Sequence, residues 1–140
     1  MPLLQKGVVA AAGRLPKVVS PKGHAILDFC TIGAWALLAW QFWRRDKRAS
    51  LCAMICGGAE LGTVLMTDMP GGLAPVFSFP THCKLDMGMA AVASAMPTFM
   101  RFEDGAEAKW FRMLGLNITA VAALSEQGES SGIRKRRRAA

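Results

Sequence analysis

The sequence predicts an all-α integral membrane protein, a four-helix bundle made of two tandem two-helix repeats in parallel orientation. Of its 140 residues, 52% are hydrophobic and only 19% are charged, and the charged residues fall mostly outside four long apolar runs. Helices on the surface of a soluble protein need a polar stripe opposite their apolar face, and these runs have none. Four helices that are apolar all round cannot all be central in so short a chain, which favours lipid as their solvent.

The four apolar runs approach the roughly 20 residues that a membrane-spanning helix requires, with about 17 as the lower bound. We predict spanning helices over residues 25–43, 49–67, 84–100 and 110–124. The fourth is the shortest. Trp43 and Trp110 lie beside charged residues at two of the predicted ends, where amphipathic rings favour the membrane interface.

A domain of four helices, residues 23–126, is flanked by two basic segments. It divides into a first repeat at about 23–68, a linker rich in Pro and Gly at 69–80, and a second repeat at about 81–126. Residues 1–22 form a basic arm, and a targeting leader over residues 1–19 is the alternative. Residues 127–140 form a basic tail that we predict to be disordered and to contact anionic lipid. No nucleic-acid partner is expected.

The repeat is most visible in two short stretches, "HAILD" and "HCKLD". Placing His24 on His82 also places Asp28 on Asp86, and we call the sequence distance from His24 to His82 the repeat offset. Each copy then contains one helix, a short charged loop and a returning helix. Because each copy would cross the membrane twice, both copies start on the same side, and all four polar residues are predicted at one face of the bilayer.

This layout resembles the SPW-repeat membrane proteins, which are built from pairs of transmembrane helices with a Ser-Pro-Trp motif in the first helix of each pair. The resemblance covers about residues 20–126 and rests on the duplicated helix pair, the His-x-x-x-Asp starts and the "GGAELG…LMTD" of the second helix. The signature positions read Leu38-Ala39-Trp40 in one copy and Met96-Pro97-Thr98 in the other. The resemblance implies the fold and the membrane, and it implies no activity.

The distribution of basic residues predicts the orientation. Ten Lys and Arg residues fall on the side of the two termini and seven fall on the opposite side. Cytoplasmic loops carry the excess of positive charge, so we predict both termini in the cytosol, with the chain in the plasma (inner) membrane.

The two His-x-x-x-Asp pairs leave two interpretations open. Residues four apart share a helix face, so the imidazole and the carboxylate of each pair can touch. Each pair can therefore cap its helix and fix its depth in the membrane. Alternatively the repeat axis sets the pairs against each other, where two imidazoles and two carboxylates suit a divalent transition metal. The predicted metal ligands are His24, Asp28, His82 and Asp86. Haem held by the two histidines, or a proton relay, would use the same groups.

Glu60 is the acidic residue deepest in a predicted span. It lies about eight residues from Asp68, or about 12 Å along a helix, where a charge is costly unless it is paired or faces a cavity. A one-residue shift in the preceding loop would make Asn117 its counterpart in the second repeat. We predict a hydrogen bond between Glu60 and Asn117 across the bundle, with a substrate or proton site at Glu60 as the alternative.

Small residues in the spans are interpreted as packing positions. None of the four cysteines has the CxxC spacing of a metal or redox motif, so they are predicted to act as small hydrophobes. Five glycines are predicted to allow close helix approach. They are Gly33, Gly57, Gly58, Gly62 and Gly88.

The sequence contains no Gly-rich phosphate loop, no nucleophile elbow and no HExxH motif, so no catalytic residue is predicted. The first functional hypothesis is a membrane protein of structural or interaction type, surrounded by lipid and able to form a homo-oligomer. The second is a metal- or haem-binding, redox or proton-handling membrane protein centred on the His–Asp pairs and Glu60. A third, a small transporter-like carrier, would require an oligomer to enclose a pathway.

Overall fold

The structure is a computed structural model and describes residues 15–126. Most of the predicted N-terminal arm and leader, and the whole predicted tail, lie outside the described residues. Four helices form the described part: α1 Pro21–Phe42, α2 Lys47–Leu65, α3 Phe79–Phe99 and α4 Ala108–Leu124. The all-α prediction is confirmed over these residues, since the only extended pairing among them consists of two isolated bridges.

Each predicted helix is present, but all four begin a few residues before the predicted start. For α1, α2 and α3 the cause is a capping side chain, which hydropathy does not register. The Ser20 and Ser78 side chains each accept a first-turn backbone N–H, and a proline follows each serine within the first two helical positions. Asp46 accepts two backbone N–H groups at the start of α2. The two serines are separated by the repeat offset, so the repeat begins at its capping serine, slightly before the predicted boundaries at 23 and 81.

The helices pack as two hairpins, α1 with α2 and α3 with α4, and the hairpins meet where α2 faces α3 and α1 faces α4. The main core cluster centres on Trp35, whose ring lies 5.1 Å from that of Phe111. Phe102, in the α3–α4 loop, contacts the other side of Phe111 with ring centroids 5.2 Å apart. A smaller cluster around Phe79 and Cys83 fills the opposite end of the bundle.

At that opposite end, the start of each half pairs with the end of the other half. One parallel bridge joins Val19 to Ser125, and the other joins Phe77 to Thr67. The repeat offset relates Val19 to Phe77 and Thr67 to Ser125, so the two bridges are equivalent. The helix ends that carry the His–Asp pairs are therefore held together by backbone contacts between the halves.

The glycines at which the two helices of each hairpin approach most closely are also separated by the repeat offset. An added Cβ on Gly57 would lie 2.8 Å from the Cβ of Trp35 in α1, and one on Gly115 would lie 2.8 Å from the carbonyl oxygen of Ala90 in α3. The predicted one-residue shift between the repeats is therefore wrong, because both helices of each half stay in register at the repeat offset. The later start of α4 absorbs the difference between the two loops.

Most of the glycines predicted to allow close approach do not do so. Among the five, an added Cβ would meet another side chain only at Gly57. The positions with no atom within 4 Å are Gly33, Gly58, Gly62 and Gly88. These four glycines border open space, so they are not sites of close helix approach in the described bundle.

Each of the four helices exposes large apolar side chains. Trp40 on α1 is 77% exposed, Phe99 on α3 is 81% exposed and Leu116 on α4 is 70% exposed. Among the described residues, two helices, α1 and α2, are long and apolar enough to cross a bilayer. Large apolar side chains are thus exposed on every helix of the described bundle.

Candidate metal site

The two His–Asp pairs meet in the interior, near the starts of α1 and α3. We call these four residues the His–Asp quartet: His24, Asp28, His82 and Asp86. Each pair lies within the first two turns of its helix, and the exposed fraction of each residue is 6% or less. The juxtaposition predicted from the repeat axis is thus present.

Within the quartet, each imidazole contacts both carboxylates. The Nε2 atom of His24 lies 3.0 Å from Oδ2 of Asp86 and 3.3 Å from Oδ2 of Asp28. The Nε2 atom of His82 lies 3.1 Å from Oδ2 of Asp28 and 3.3 Å from Oδ2 of Asp86. In both cases the shorter contact runs between the halves and the longer one runs within a helix.

A hydroxyl group at the end of the other half orients each imidazole. The Nδ1 atom of His24 lies 2.6 Å from Oγ of Ser125, and the Nδ1 atom of His82 lies 2.9 Å from Oγ1 of Thr67. Each hydroxyl already donates its single hydrogen to a backbone carbonyl one turn earlier in its own helix. The hydroxyls therefore accept from Nδ1–H, and each histidine presents Nε2 to the centre of the quartet.

Aromatic packing closes the site on one side. The ring of Phe79 stands edge-on to His24 at 5.0 Å and is stacked near His82 at 6.2 Å between centroids. The two imidazoles themselves are 5.2 Å apart and nearly perpendicular. The described structure thus fixes both rings by packing as well as by hydrogen bonds.

The quartet has the dimensions of a metal site. The four ligand atoms all lie within 4.8 Å of one another. The nitrogen–oxygen distances between these four atoms are 3.0–3.3 Å. Whether the atoms form a square or a tetrahedron, their centre then lies about 2 Å from each of them, which is about the length of a zinc–nitrogen or zinc–oxygen bond. Two neutral imidazoles and two carboxylates also balance the charge of one divalent ion.

The Nδ1 contacts match the surroundings of metal-bound histidines. Metal-ligating histidines usually donate their second ring N–H to an oxygen, which fixes the tautomer and the ring orientation. Ser125 and Thr67 provide that oxygen here. Neither hydroxyl was predicted, although the two are separated by the repeat offset, and the spacing of the histidines carried through to the second helices leads to both.

Glu60 and Asn117 are not partners, and the predicted bond between them is wrong. Glu60 is 3% exposed, and its Oε2 accepts a hydrogen bond of 3.0 Å from Nε1 of Trp35. The Asn117 side chain donates instead to the hydroxyl of Thr31, at 3.2 Å. At the repeat offset the counterpart of Glu60 is Ile118, so the first half alone carries this buried carboxylate.

The cysteines take no part in the quartet. All four are free thiols, two of them buried, and Cys83 packs beside Phe79 in the smaller core cluster. Their prediction as small hydrophobes agrees with these positions.

No family model, no curated protein and no solved structure matches the chain, so the interpretation of the quartet rests on its geometry.

Proposed function

We propose that the chain is a small multi-pass integral membrane protein whose two halves are joined by one divalent transition-metal ion in the His–Asp quartet. The observation that carries the proposal is the convergence of four buried ligand atoms within 4.8 Å, two from each half. Zinc fits best, because the set combines two imidazoles with two carboxylates and the distances suit four-coordination. The proposal unites the structural hypothesis with the metal-binding hypothesis.

The membrane part of the proposal rests on the two candidate spans and on the large apolar side chains exposed on every helix. We infer that all four helices cross the bilayer as tandem repeats in parallel orientation, so that both termini lie on one side. The charge distribution favours the cytosolic side of the plasma (inner) membrane for that end. The resemblance to SPW-repeat proteins is compatible with this arrangement and stays a prediction.

A structural role follows from the number of protein ligands. Catalytic zinc sites keep one position open for water or substrate, whereas structural sites are filled by four protein ligands. The quartet provides all four ligands and is buried among the helix ends and Phe79. A metal held there would tie α1 to α3, and it would have no free position for catalysis.

The geometry disfavours haem. A haem bound through both histidines would need its porphyrin plane between the two Nε2 atoms. The Oδ2 atoms of Asp28 and Asp86 lie 3.0–3.3 Å from these nitrogens and occupy that space.

The competing interpretation is a quartet held by protons alone. Each Nε2 would then carry a hydrogen and donate it to the carboxylates, and the halves would be joined by buried ion pairs without a metal. Both interpretations use the same contacts, so metal content and spectroscopy must decide between them.

The test is the metal content of the full chain, purified in mild detergent from cells grown with added zinc. We expect about one zinc per chain in the wild type and much less than one in Asp28→Asn and Asp86→Asn, since each variant removes an anionic ligand. Asp104→Asn, in the exposed α3–α4 loop, is the matched control and should keep the metal.

Cobalt provides an independent readout. Replacing zinc with Co²⁺ should give the intense visible absorption of a four-coordinate cobalt site, and His82→Asn should abolish it. A wild-type chain that takes up no stoichiometric zinc or cobalt, and whose melting temperature does not change with chelator, would establish the proton-held quartet instead.

A further inference from the structure

A cavity inside the bundle is separate from the His–Asp quartet. It has a volume of about 390 Å³, within the range of small-molecule pockets, and all four helices contribute to its wall. The lining is almost entirely apolar, with Met89, Val92 and Met96 of α3 facing α2. The cavity opens to the outside between α2 and α3.

Glu60 supplies the buried polar group of this cavity. One carboxylate oxygen, Oε2, is held by Nε1 of Trp35, which also lines the cavity. The other oxygen, Oε1, has no hydrogen-bond partner in the described part of the chain. No fully enclosed side-chain oxygen in that part lacks a partner, so Oε1 must face the open space of the cavity.

The second half has apolar residues at the positions that correspond to Glu60 and Trp35. At the repeat offset, Ile118 corresponds to Glu60 and Ala93 corresponds to Trp35, and both Ile118 and Ala93 line the same cavity as plain apolar wall. The carboxylate and the indole that fixes it are thus a feature of the first half alone. The repeat itself does not dictate a carboxylate at this position, because the second half has an apolar residue there.

Lys84 is the basic residue of the lining, and it is exposed. Its aliphatic stem can cover the cavity wall while the ammonium group reaches polar surroundings. The residue makes no ion pair with Glu60 in the described structure. The hydrogen-bonding capacity of Oε1 is therefore left for a bound molecule to satisfy.

We infer that this cavity binds an apolar amine, a molecule with a hydrocarbon body and one amino group that pairs with Oε1 of Glu60. The hydrocarbon body fills the apolar lining, and the single nitrogen meets the single available oxygen. An amino group satisfies that oxygen whichever partner carries the proton. The inference does not depend on metal in the quartet.

The test uses the fluorescence of Trp35 in the full chain, reconstituted in nanodiscs of zwitterionic phosphatidylcholine. Substituting Trp40, Trp43 and Trp110, which are all exposed, with Phe leaves Trp35 as the only tryptophan. The probe is an alkylamine of about eight carbons with a bromine atom at its far end, since such pockets take ligands of this size and bromine quenches indole on contact. The corresponding bromoalkyl alcohol is the matched probe without the amino group.

We expect saturable quenching by the amine and only weak, non-saturating quenching by the alcohol. Glu60→Gln keeps an acceptor for Trp35 and should weaken amine binding by about tenfold or more. Quenching that is equal for both probes, or unchanged by Glu60→Gln, would overturn the inference and indicate a groove filled by lipid chains without recognition.

A second variant guards against a folding defect in Glu60→Gln. Gly88 lines the cavity and has open space beside it, so Gly88→Leu should fill the cavity and abolish saturable quenching. Gly33→Leu adds the same side chain at an open position outside the cavity and should leave quenching unchanged. Zinc content, measured on the same samples, should stay at the wild-type level in all variants. Amine binding that persists in Gly88→Leu would contradict the location of the site.

Discussion

The two halves of the chain contribute matching groups to the His–Asp quartet and different groups to the bundle interior. At the quartet, every polar group of one half has its counterpart in the other at the repeat offset, including the hydroxyls that orient the imidazoles. In the interior, Trp35 and Glu60 of the first half correspond to Ala93 and Ile118 of the second. The quartet needs a histidine and an aspartate from each half. The buried carboxylate of the interior, by contrast, comes from the first half alone.

This difference separates two kinds of constraint. A site assembled from both halves works only while the two contributions match, because each histidine depends on the carboxylate and the hydroxyl of the opposite half. A cavity wall has no such requirement, since one half can supply the polar group and the other can supply hydrocarbon. The symmetric part of the molecule is therefore the part we assign to holding the halves together. The asymmetric part is the one we assign to binding a ligand.

The largest expected effect is the loss of an imidazole from the quartet. His24→Ala and His82→Ala should each lower the free energy of unfolding by about 3–5 kcal/mol, because each leaves two buried carboxylates to share one imidazole. Denaturant titration in detergent measures both changes. The two losses should agree within about 1 kcal/mol, since the two histidines have the same partners. A large inequality would show that the quartet is not shared evenly between the halves.

A smaller effect is expected at the two hydroxyls. Ser125→Ala and Thr67→Val remove the oxygens that accept Nδ1–H of His24 and His82 and leave those N–H groups buried without a partner, at about 1–3 kcal/mol each. If the quartet holds a metal, each should also lower zinc affinity by about 10- to 100-fold. Competition with a zinc-binding dye measures the affinity.

The controls for this pair are Thr119→Val and Thr63→Val, whose hydroxyls bond only to backbone carbonyls in their own helices. Neither control should change zinc affinity. A hydroxyl variant that loses stability but binds zinc with unchanged affinity would favour the proton-held quartet.

The sequence offered the quartet as one of two interpretations of the His-x-x-x-Asp pairs, because ionisable groups at a fixed spacing in apolar runs are conspicuous and their repetition implies a symmetry that can bring the copies together. It predicted the four helices because apolar runs of this length have few other structures. The starts of α1, α2 and α3 were placed too late, since a capping serine or aspartate contributes nothing to hydropathy. The alignment of the second helices failed because it matched Gly58 and Glu60 by residue type, whereas the packing contacts of Gly57 and Gly115 keep the register.

The bond between Trp35 and Glu60 could not be predicted from spacing. The two residues belong to different helices of one hairpin, and their contact depends on how far α2 is rotated against α1. Hydropathy identified Glu60 as a buried acid that needs a partner, and that much is confirmed by its 3% exposure. The rotation of α2 about its axis determines whether Glu60 bonds to Asn117 or to Trp35. The apolar composition of α2 does not specify that rotation.

The smallest expected changes in unfolding free energy are those of variants at Glu60 and Asn117. They test which partner Glu60 has and therefore whether the interior is asymmetric. Glu60→Ala leaves the indole N–H of Trp35 without an acceptor and should cost about 1–3 kcal/mol of unfolding free energy, whereas Glu60→Gln should cost less than about 1 kcal/mol because an acceptor remains. Asn117→Ala removes a part-buried bond to Thr31 of α1, and such interhelical bonds in membrane proteins average about 0.6 kcal/mol.

The double variant Glu60→Ala with Asn117→Ala decides whether these two residues interact at all. Residues with separate partners give additive losses within about 0.5 kcal/mol, while bonded residues deviate from additivity by more. Additivity is the expected result, because Glu60 bonds to Trp35 and Asn117 bonds to Thr31. A coupling well above that limit would restore the bond between Glu60 and Asn117. It would also make the interior as symmetric as the quartet and remove the free carboxylate oxygen on which amine binding depends.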